Sequence, residues 1–139
     1  MAIDKKLIVT NYAKMWPREV FDVRSGNKFD PHVKQALSKP GVYVLYRNDM
    51  PYYIGRASGK LFRRLRQHAL NRKDRYCNFW NFFSAFVVAS SAHVSKVEGI
   101  LIAAMPTDNS AIPRIEKIYL PETVAKALRR KAIPLEQKK

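Results

Sequence analysis

A guanidinium group and an imidazole are spaced in this sequence so that they can serve one site. Arg64 and His68 are four residues apart, so on a helix both project from the same side, next to the apolar stripe of Leu61 and Leu65. At the edge of a buried face, such a cation and imidazole can point into a cleft. The alternative is a basic, solvated helix, since runs of charge usually form solvated faces.

A single carboxylate follows in a mostly apolar stretch. Glu98 is the only acidic residue between Val94 and Met105. An unpaired carboxylate is costly to bury, so it needs an arginine, a hydrogen bond or a metal ion. Asn109, shortly afterwards, can cap a turn or support the same site. The alternative is a surface glutamate, because glutamate is seldom buried.

Two tyrosines lie on the two strands of a predicted β-hairpin, over residues 41–56. Strand-forming residues surround Tyr43 and Tyr53, and Asn48-Asp49 is a turn signal between them. The two rings share a face only if the loop is odd in length or a bulge intervenes. A loop of three residues, Asn48 to Met50, would satisfy this condition. Ordinary cross-strand packing of the tyrosines is the alternative.

The remaining pattern predicts the elements that position these groups. Helices are expected over residues 60–70, 92–105 and 121–131, and a third strand over residues 82–89. The first forty residues predict short helices and loops, with a turn opened by Pro17 and a helix from Pro31 to about Leu37, capped by Asp30. This order predicts a small α/β (α+β) domain with a three-stranded antiparallel sheet flanked by helices.

Composition restricts the class of partner. The 139 residues are 47% hydrophobic, which suits one domain, and 26 Lys and Arg against 11 Asp and Glu give a formal net charge of +15. Such an excess predicts a polyanionic partner, either nucleic acid or an anionic membrane. The longest apolar run, Gly99 to Met105, is too short to span a bilayer, and no signal segment is visible. With Cys77 as the sole cysteine, no internal disulfide forms, and we expect a cytoplasmic protein, a secreted toxin being the open alternative.

Taken in chain order, these residues resemble the GIY-YIG nuclease superfamily. The resemblance covers about residues 41–110, and the segment Trp80 to Ser84 also looks like several bacterial members. Val42 stands where the family has isoleucine. Residues 1–40 and 111–139 have no such match and are expected to be helical extensions of a single domain spanning residues 1–139. The matched residues are Gly41-Val42-Tyr43, Tyr53-Ile54-Gly55, Arg64, His68, Glu98 and Asn109.

The resemblance implies a metal-dependent DNA endonuclease that hydrolyses phosphodiester bonds. Glu98 would hold Mg²⁺ or Mn²⁺, and Tyr43, in preference to Tyr53, would take the proton of the attacking water. Arg56, Arg64 and the metal would lower the pKa of that tyrosine. Arg64 would also neutralise charge on the phosphoryl oxygens. His68 would position or relay the proton, Tyr53 would hydrogen-bond the nucleophile or the phosphate, and Asn109 would support the site.

Basic and aromatic residues around the predicted helix suit nucleic-acid binding. Tyr76, Phe79 and Trp80 can stack on unpaired bases, although Phe79 and Trp80 suit a core equally well. Double- or single-stranded DNA, RNA and a homodimer all remain open, as does a restriction, repair, mobile-element or toxin role. The rival function is a non-catalytic nucleic-acid-binding module on the same fold. The cations expected to follow the backbone are Lys60, Arg63, Arg66, Arg72, Lys73 and Arg75.

Overall fold

A four-stranded antiparallel sheet with helices packed on it forms the centre of the structure, a computed structural model. The described residues are 7–25, 28–29, 31–109, 113 and 115–135. A 3-10 turn (Arg18–Phe21) follows the first strand. The elements are β1 (Val9–Pro17), β2 (Arg24–Ser25), β3 (Lys28–Phe29), α1 (Pro31–Ala36), β4 (Gly41–Arg47), β5 (Met50–Ala57), α2 (Leu61–Leu70), β6 (Phe82–Val88), α3 (Ser91–Ala104) and α4 (Glu122–Arg130).

Strand β4 lies inside the sheet and is covered on both faces. The sheet order is β1-β6-β4-β5, and every residue from Gly41 to Leu45 is buried. Successive side chains of a strand point to opposite faces. Tyr43 and Leu45 therefore join a hydrophobic cluster with residues of α2, whereas Val42 and Val44 join a second cluster with residues of α3. Tyr43, a candidate site residue, lies on the first of these faces.

The predicted sequence of hairpin, helix, strand and helix is confirmed, with element ends shifted by only one or two residues. The short helix α1 and the last helix α4 also lie where they were predicted. Asp30, the expected cap of α1, lies outside the described residues. In the part of the chain that the structure describes, no helix combines the length and the apolar character needed to cross a membrane.

The predicted three-stranded sheet has four strands, because the N-terminal region contributes β1, and β2 and β3 form a separate two-stranded sheet. β1 pairs antiparallel with β6, where only helices and loops had been predicted. Its register shifts twice, between Val9 and Asn11 and between Ala13 and Trp16, and Met15 has a positive φ of 53°. These irregularities break the two-residue alternation that marks a strand in a sequence, so the pattern was not visible.

Candidate active site

The phenol ring of Tyr43 lies directly against the backbone of Gly55 on the neighbouring strand. The two residues are cross-strand partners, and Tyr43 is fully buried. A Cβ atom built on Gly55 would lie 2.3 Å from the Tyr43 hydroxyl oxygen and 2.4 Å from the adjacent ring carbon. No side chain fits there, which explains why a glycine ends the segment Tyr53-Ile54-Gly55. Gly41 meets a similar restriction, since its Cβ would lie 2.0 Å from the carbonyl oxygen of Phe86.

Tyr43 and Tyr53 share a face of the sheet because the hairpin contains a β-bulge. The turn has two residues, Asn48 and Asp49, so of the two predicted alternatives, an odd loop or a bulge, the structure has the bulge. Leu45 pairs with Tyr53, but the next residue of β4 pairs two positions earlier on β5, which leaves Tyr52 as the extra residue. The rings of Tyr43 and Tyr53 consequently lie 6.4 Å apart, centre to centre.

A chain of hydrogen bonds runs from Tyr43 through His68 to Asp74. The Tyr43 hydroxyl lies 2.7 Å from Nε2 of His68, and Nδ1 of the same ring lies 2.9 Å from Oδ1 of Asp74. His68 is 1% exposed. The Asp74 carboxylate also accepts the backbone N–H of Tyr76 at 2.9 Å, which holds it in place. The loop after α2 thus supplies a carboxylate to a histidine of that helix.

The protonation of this chain follows from the partners. A carboxylate only accepts hydrogen bonds, so Nδ1 of His68 carries the proton and donates it to Asp74. Burial lowers the pKa of His68, against the opposing effect of Asp74, and the ring is therefore neutral at neutral pH. Nε2 is then an acceptor, and the hydroxyl of Tyr43 donates to it.

Burial raises the pKa of Tyr43 above its ordinary value, and the nearby Tyr53 adds to the effect. Arg64 lowers the pKa of Tyr43 through its charge and a hydrogen bond, but burial outweighs it. Arg64 thus acts on the pKa of Tyr43 in the predicted direction, and the burial of the ring, which was not predicted, has the larger effect. Tyr43 is a neutral phenol, with a histidine in place to receive its proton.

Arg64 lies at the open side of this cluster. The side chain is half-buried, and it influences the pKa of Tyr43, Tyr53 and His68. Its Nη1 donates to Oε1 of Gln67 at 3.3 Å. Arg64, and not its neighbour Arg63, was predicted to project toward the site. The structure agrees, because Arg63 is exposed whereas Arg64 faces the tyrosines.

Glu98 reaches the same region from α3. Its side chain is half-buried, burial raises its pKa, and Arg56 on β5 lowers it. Glu98 in turn raises the pKa of Tyr53, although burial and Tyr76 matter more for that residue. The carboxylate is thus close to both Arg56 and Tyr53, as a shared site requires.

Asn109 fixes the edge strand that carries Tyr53. Its Oδ1 accepts the backbone N–H of Ile54 at 2.8 Å, and its Nδ2 donates to the Ile54 carbonyl at 2.8 Å. The backbone N–H of Asp108 donates to the carbonyl of Tyr52 at 2.8 Å. The side chain of Asn109 therefore acts on the strand backbone, in keeping with a supporting role.

A clamp by Arg18 holds the loop that carries Asp74. The guanidinium donates to the carbonyl groups of Ala69, Cys77 and Trp80, and it lies 5.1 Å from the centre of the Trp80 ring. These carbonyls belong to the last turn of α2 and to the loop between α2 and β6. The N-terminal region therefore helps to position the site.

The predicted nucleic-acid-binding cations are all exposed, just before α2, on α2 and on the loop that follows it. Trp80 is 3% exposed and belongs to the core, whereas Phe79 is 45% exposed. The exposed cations are Lys60, Arg63, Arg66, Arg72, Lys73 and Arg75.

The carboxylates of the site suit a hard cation whose remaining ligands come from substrate and water. Among the residues that the structure describes, no three His, Cys, Asp or Glu side chains group to form a metal cage. Glu98 offers one half-buried carboxylate, while Asp74 is engaged by His68. Mg²⁺ typically takes one or two carboxylates together with phosphate oxygens and waters, so these residues fit such an ion.

Sequence reasoning missed Asp74, Arg18 and Tyr52. Asp74 stands in a run of basic residues, Arg72 to Arg75, which is typical of a solvated segment. Its only signal was being the single acid of that run. The ring of Tyr52 contacts that of Tyr76, which stacks on Tyr53, because of the bulge, and the sequence does not show where a bulge falls.

Solved structures of GIY-YIG endonuclease domains are similar to this chain, while no family model and no curated protein matches it. The N-terminal endonuclease domain of UvrC from Thermotoga maritima, solved with its catalytic magnesium bound, is 28% identical. The match covers 53% of this chain and 89% of that domain, with a TM-score of 0.43. A point mutant of the same domain is 26% identical. That match covers 53% of this chain and 88% of the mutant domain, with a TM-score of 0.42. The chain is thus similar to solved members of the GIY-YIG family that its motif residues resemble.

Proposed function

We propose that this protein is a divalent-metal-dependent endonuclease that hydrolyses phosphodiester bonds in DNA. The observation that carries the proposal is the position of the Tyr43 hydroxyl, which donates to His68 and lies within reach of Arg64. The ordered motif residues and the net charge of +15 support the same conclusion. A proton acceptor, a phosphate-binding cation and a metal-ligating carboxylate are thereby available at one place.

The proton of the attacking water leaves through Tyr43. As the water attacks phosphorus, the phenol oxygen of Tyr43 accepts the water's proton while its own proton moves to Nε2 of His68. Asp74 stabilises the imidazolium that results, because its carboxylate already accepts the Nδ1 proton. A neutral Tyr43 with a raised pKa is suited to this relay, since no free phenolate has to accumulate.

Arg64 and Tyr53 act on the phosphate. The guanidinium of Arg64 neutralises negative charge that builds on the phosphoryl oxygens. Tyr53, half-buried beside Tyr43, donates its hydroxyl to the phosphate or to the water. Arg56 lies close to Glu98 and offsets its charge until substrate binds.

Glu98 is the residue that would hold Mg²⁺ or Mn²⁺. The bound ion would polarise the phosphate and stabilise the leaving oxygen. Its half-buried carboxylate is an oxygen ligand of the kind that both ions prefer.

The exposed cations at the start of α2, on α2 and on its following loop bind the DNA backbone. Contacts of this kind make affinity fall steeply with salt. A single site cuts one strand at a time, so cleavage of both strands requires a second event or a second copy of the chain in a homodimer. We place the catalytic core in residues 41–110, with residues 1–40 and 111–139 as its extensions.

Nicking of supercoiled plasmid tests the proposal. The wild-type chain is expected to nick or linearise plasmid with Mg²⁺ or Mn²⁺ and to leave it intact with EDTA. Glu98→Ala and Arg64→Ala should each lose at least about 100-fold in rate while still binding DNA. Arg47→Ala and Glu122→Ala are matched controls on exposed positions outside the site and the DNA-binding cations, and both should keep cleavage.

The opposite result would identify a binding module. The catalytic proposal fails if duplex DNA, single-stranded DNA and RNA all stay intact with both metals although DNA is bound. Equal loss of cleavage in Glu98→Ala and Glu122→Ala would likewise remove Glu98 from the site.

A further inference from the structure

Four aromatic rings form a continuous row that begins at the candidate active site and ends at the surface. This aromatic row consists of Tyr53, Tyr76, Tyr52 and Phe79. Tyr53 stacks on Tyr76 with ring centres 4.2 Å apart, and Tyr76 meets Tyr52 edge-on at 6.2 Å. Tyr52 then stacks on Phe79 at 5.9 Å, with only 12° between the ring planes. Tyr53 itself lies beside Tyr43, so the row starts where cleavage is proposed.

The β-bulge is what brings two consecutive tyrosines into this row. Adjacent residues of a regular strand point to opposite faces, yet Tyr52 and Tyr53 both contact the ring of Tyr76. Tyr52 is the extra residue of the bulge, and its carbonyl accepts the N–H of Asp108 at 2.8 Å. Bulges frequently re-aim a side chain next to an active site.

The outer end of the row is open to solvent. Phe79 is 45% exposed, and neither hydrophobic cluster of the described residues includes it. The loop that carries it also carries the exposed cations Arg72, Lys73 and Arg75, and the guanidinium of Arg75 lies 5.5 Å from the centre of the Tyr76 ring. An exposed aromatic face beside several cations has the composition of a surface that stacks a base and binds its phosphate.

We propose that the aromatic row binds an unpaired base of the nucleic-acid strand whose phosphate occupies the active site. The substrate class is then nucleic acid with a single-stranded or unpaired segment at the cleavage position. A base inside a regular duplex is already stacked on both faces, so it has no face to offer to Phe79. This inference rests on the proposed function, because the row can bind a base of the substrate strand only if that strand passes Tyr43.

Equilibrium binding in EDTA tests the row without requiring cleavage. Three DNA probes are compared on the wild-type chain: a single-stranded oligonucleotide, the matching duplex, and a duplex with a central unpaired bubble. We expect tighter binding of the single strand and the bubble. Phe79→Ala should weaken those two by about 5- to 100-fold. Its effect on the duplex should stay within about twofold, because the phosphate contacts remain.

A fluorescent adenine analogue in the single strand gives a second readout. Stacking on the row should quench its emission in the wild-type complex, and Phe79→Ala should restore the emission at saturating protein. Phe79→Trp should retain both the affinity and the quenching. Tyr12→Ala is the matched control, because Tyr12 is 71% exposed on β1, at the opposite edge of the sheet from β5.

The outcomes separate this inference from the proposed function. Unchanged single-strand affinity in Phe79→Ala, an equal loss on all three probes, or the same loss in Tyr12→Ala would overturn the aromatic row as a base-binding surface. Metal-dependent nicking by the wild-type chain would leave the endonuclease proposal standing in each of these cases. Selective binding of unpaired bases without any nicking would instead support the base-binding row and contradict the endonuclease proposal.

Discussion

The Oδ1 atom of Asp74 lies 2.9 Å from Nδ1 of His68, and the opposite nitrogen of that ring faces the hydroxyl of Tyr43 at 2.7 Å. This relationship makes the histidine an acceptor toward the tyrosine. The buried pair of Tyr43 and His68 therefore depends on Asp74, a loop residue six positions after His68. The carboxylate orients the ring and fixes the proton on Nδ1, so Asp74 is a positioning residue for the proposed proton relay.

Asp74→Asn should lower the rate of metal-dependent cleavage by about 100- to 10,000-fold. The amide can donate as well as accept, so it permits the tautomer in which Nε2 carries the proton and no longer accepts from Tyr43. The measurement is single-turnover cleavage as a function of pH, together with DNA binding in EDTA. Affinity should be nearly unchanged, while the acidic limb of the pH profile shifts.

Asp49→Asn is the matched control for that substitution. Asp49 is exposed in the hairpin turn, so its amide should alter neither the rate nor the pH profile. The tautomer explanation would be refuted if Asp74→Asn lowered the rate without moving the pH profile, since a merely structural loss has that effect.

Gly55→Ala should disrupt the site even though it adds a single methyl group. The new Cβ would lie 2.3 Å from the Tyr43 hydroxyl oxygen, and the ring has no space to yield because Tyr43 is fully buried. Overpacking of this kind costs about 1–3 kcal/mol of unfolding free energy. We also expect cleavage to fall sharply, because the displaced hydroxyl leaves His68. Denaturant unfolding and plasmid nicking measure the two effects.

Gly59→Ala provides the comparison, because a Cβ at Gly59 meets nothing within 4 Å. It should leave both stability and activity close to those of the wild-type chain. Similar behaviour of the two alanine variants would show that the contact between Gly55 and the Tyr43 ring does not control the site.

Much of the fold was predictable because its central elements have regular patterns. The hairpin follows from its strand formers and the Asn48-Asp49 signal, and α2 follows from the spacing of Leu61 and Leu65. The same helical spacing correctly separated Arg64, which faces the tyrosines, from Arg63, which is exposed.

The parts that were missed depend on tertiary contacts or on local irregularity. Two register shifts interrupt the alternation of apolar and polar residues along β1, so the strand was not recognised. The same alternation does not indicate where the hairpin bulge lies. Asp74 and Arg18 resemble ordinary surface charges, and only the folded loop brings them to His68 and to buried carbonyl groups. The opposing effect of burial on the pKa of Tyr43 was not predicted, because neighbouring cations can be inferred from a sequence more readily than complete burial can.

The stability of the protein should fall in mild acid through His68. Burial lowers the pKa of His68, so the unfolded chain binds this proton more readily than the folded chain does. The contribution of the neutral ring is present above about pH 6.5 and is lost as the pH falls through the lower pKa of the folded state. Thermal unfolding should show that the wild-type chain loses more Tm than His68→Gln between about pH 7 and pH 5.

His93→Gln on α3 serves as the comparison for the pH effect, because it removes a histidine outside the hydrogen-bonded chain. Only the difference between the wild type and each variant is compared, since other groups titrate in all three proteins. Parallel curves for the wild type and His68→Gln would contradict the expected titration.

Arg18→Lys should loosen the loop that carries Asp74. The planar guanidinium donates to three carbonyl groups at once, and a lysine ammonium cannot reproduce that fork. Leaving these acceptors without their donors should cost about 1–3 kcal/mol. Hydrogen exchange should quicken at the amides of Asp74, Cys77 and Phe79, which are bonded within the loop. Arg47→Lys, on an exposed residue, should show neither change, and unaltered exchange in Arg18→Lys would exclude the clamp.

Glu98→Gln should make the protein inactive and at the same time more stable at neutral pH. Burial raises the pKa of Glu98, so the folded chain holds this proton more tightly than the unfolded chain. The carboxyl group is therefore favourable in acid, and its contribution is lost as the pH rises through the raised pKa. A neutral amide of the same shape avoids that loss.

The Tm of Glu98→Gln should consequently exceed that of the wild type at pH 7 by a few degrees, with the difference shrinking toward pH 4, where both side chains are neutral. Glu122→Gln is the control, since Glu122 is exposed and pairs with Arg129 at 3.4 Å. Added Mg²⁺ should raise the Tm of the wild type and leave Glu98→Gln unchanged, because only the carboxylate can ligate the ion strongly. A Glu98→Gln variant that is less stable than the wild type at neutral pH, yet still stabilised by Mg²⁺, would show that this carboxylate serves the fold and leaves the metal to other groups.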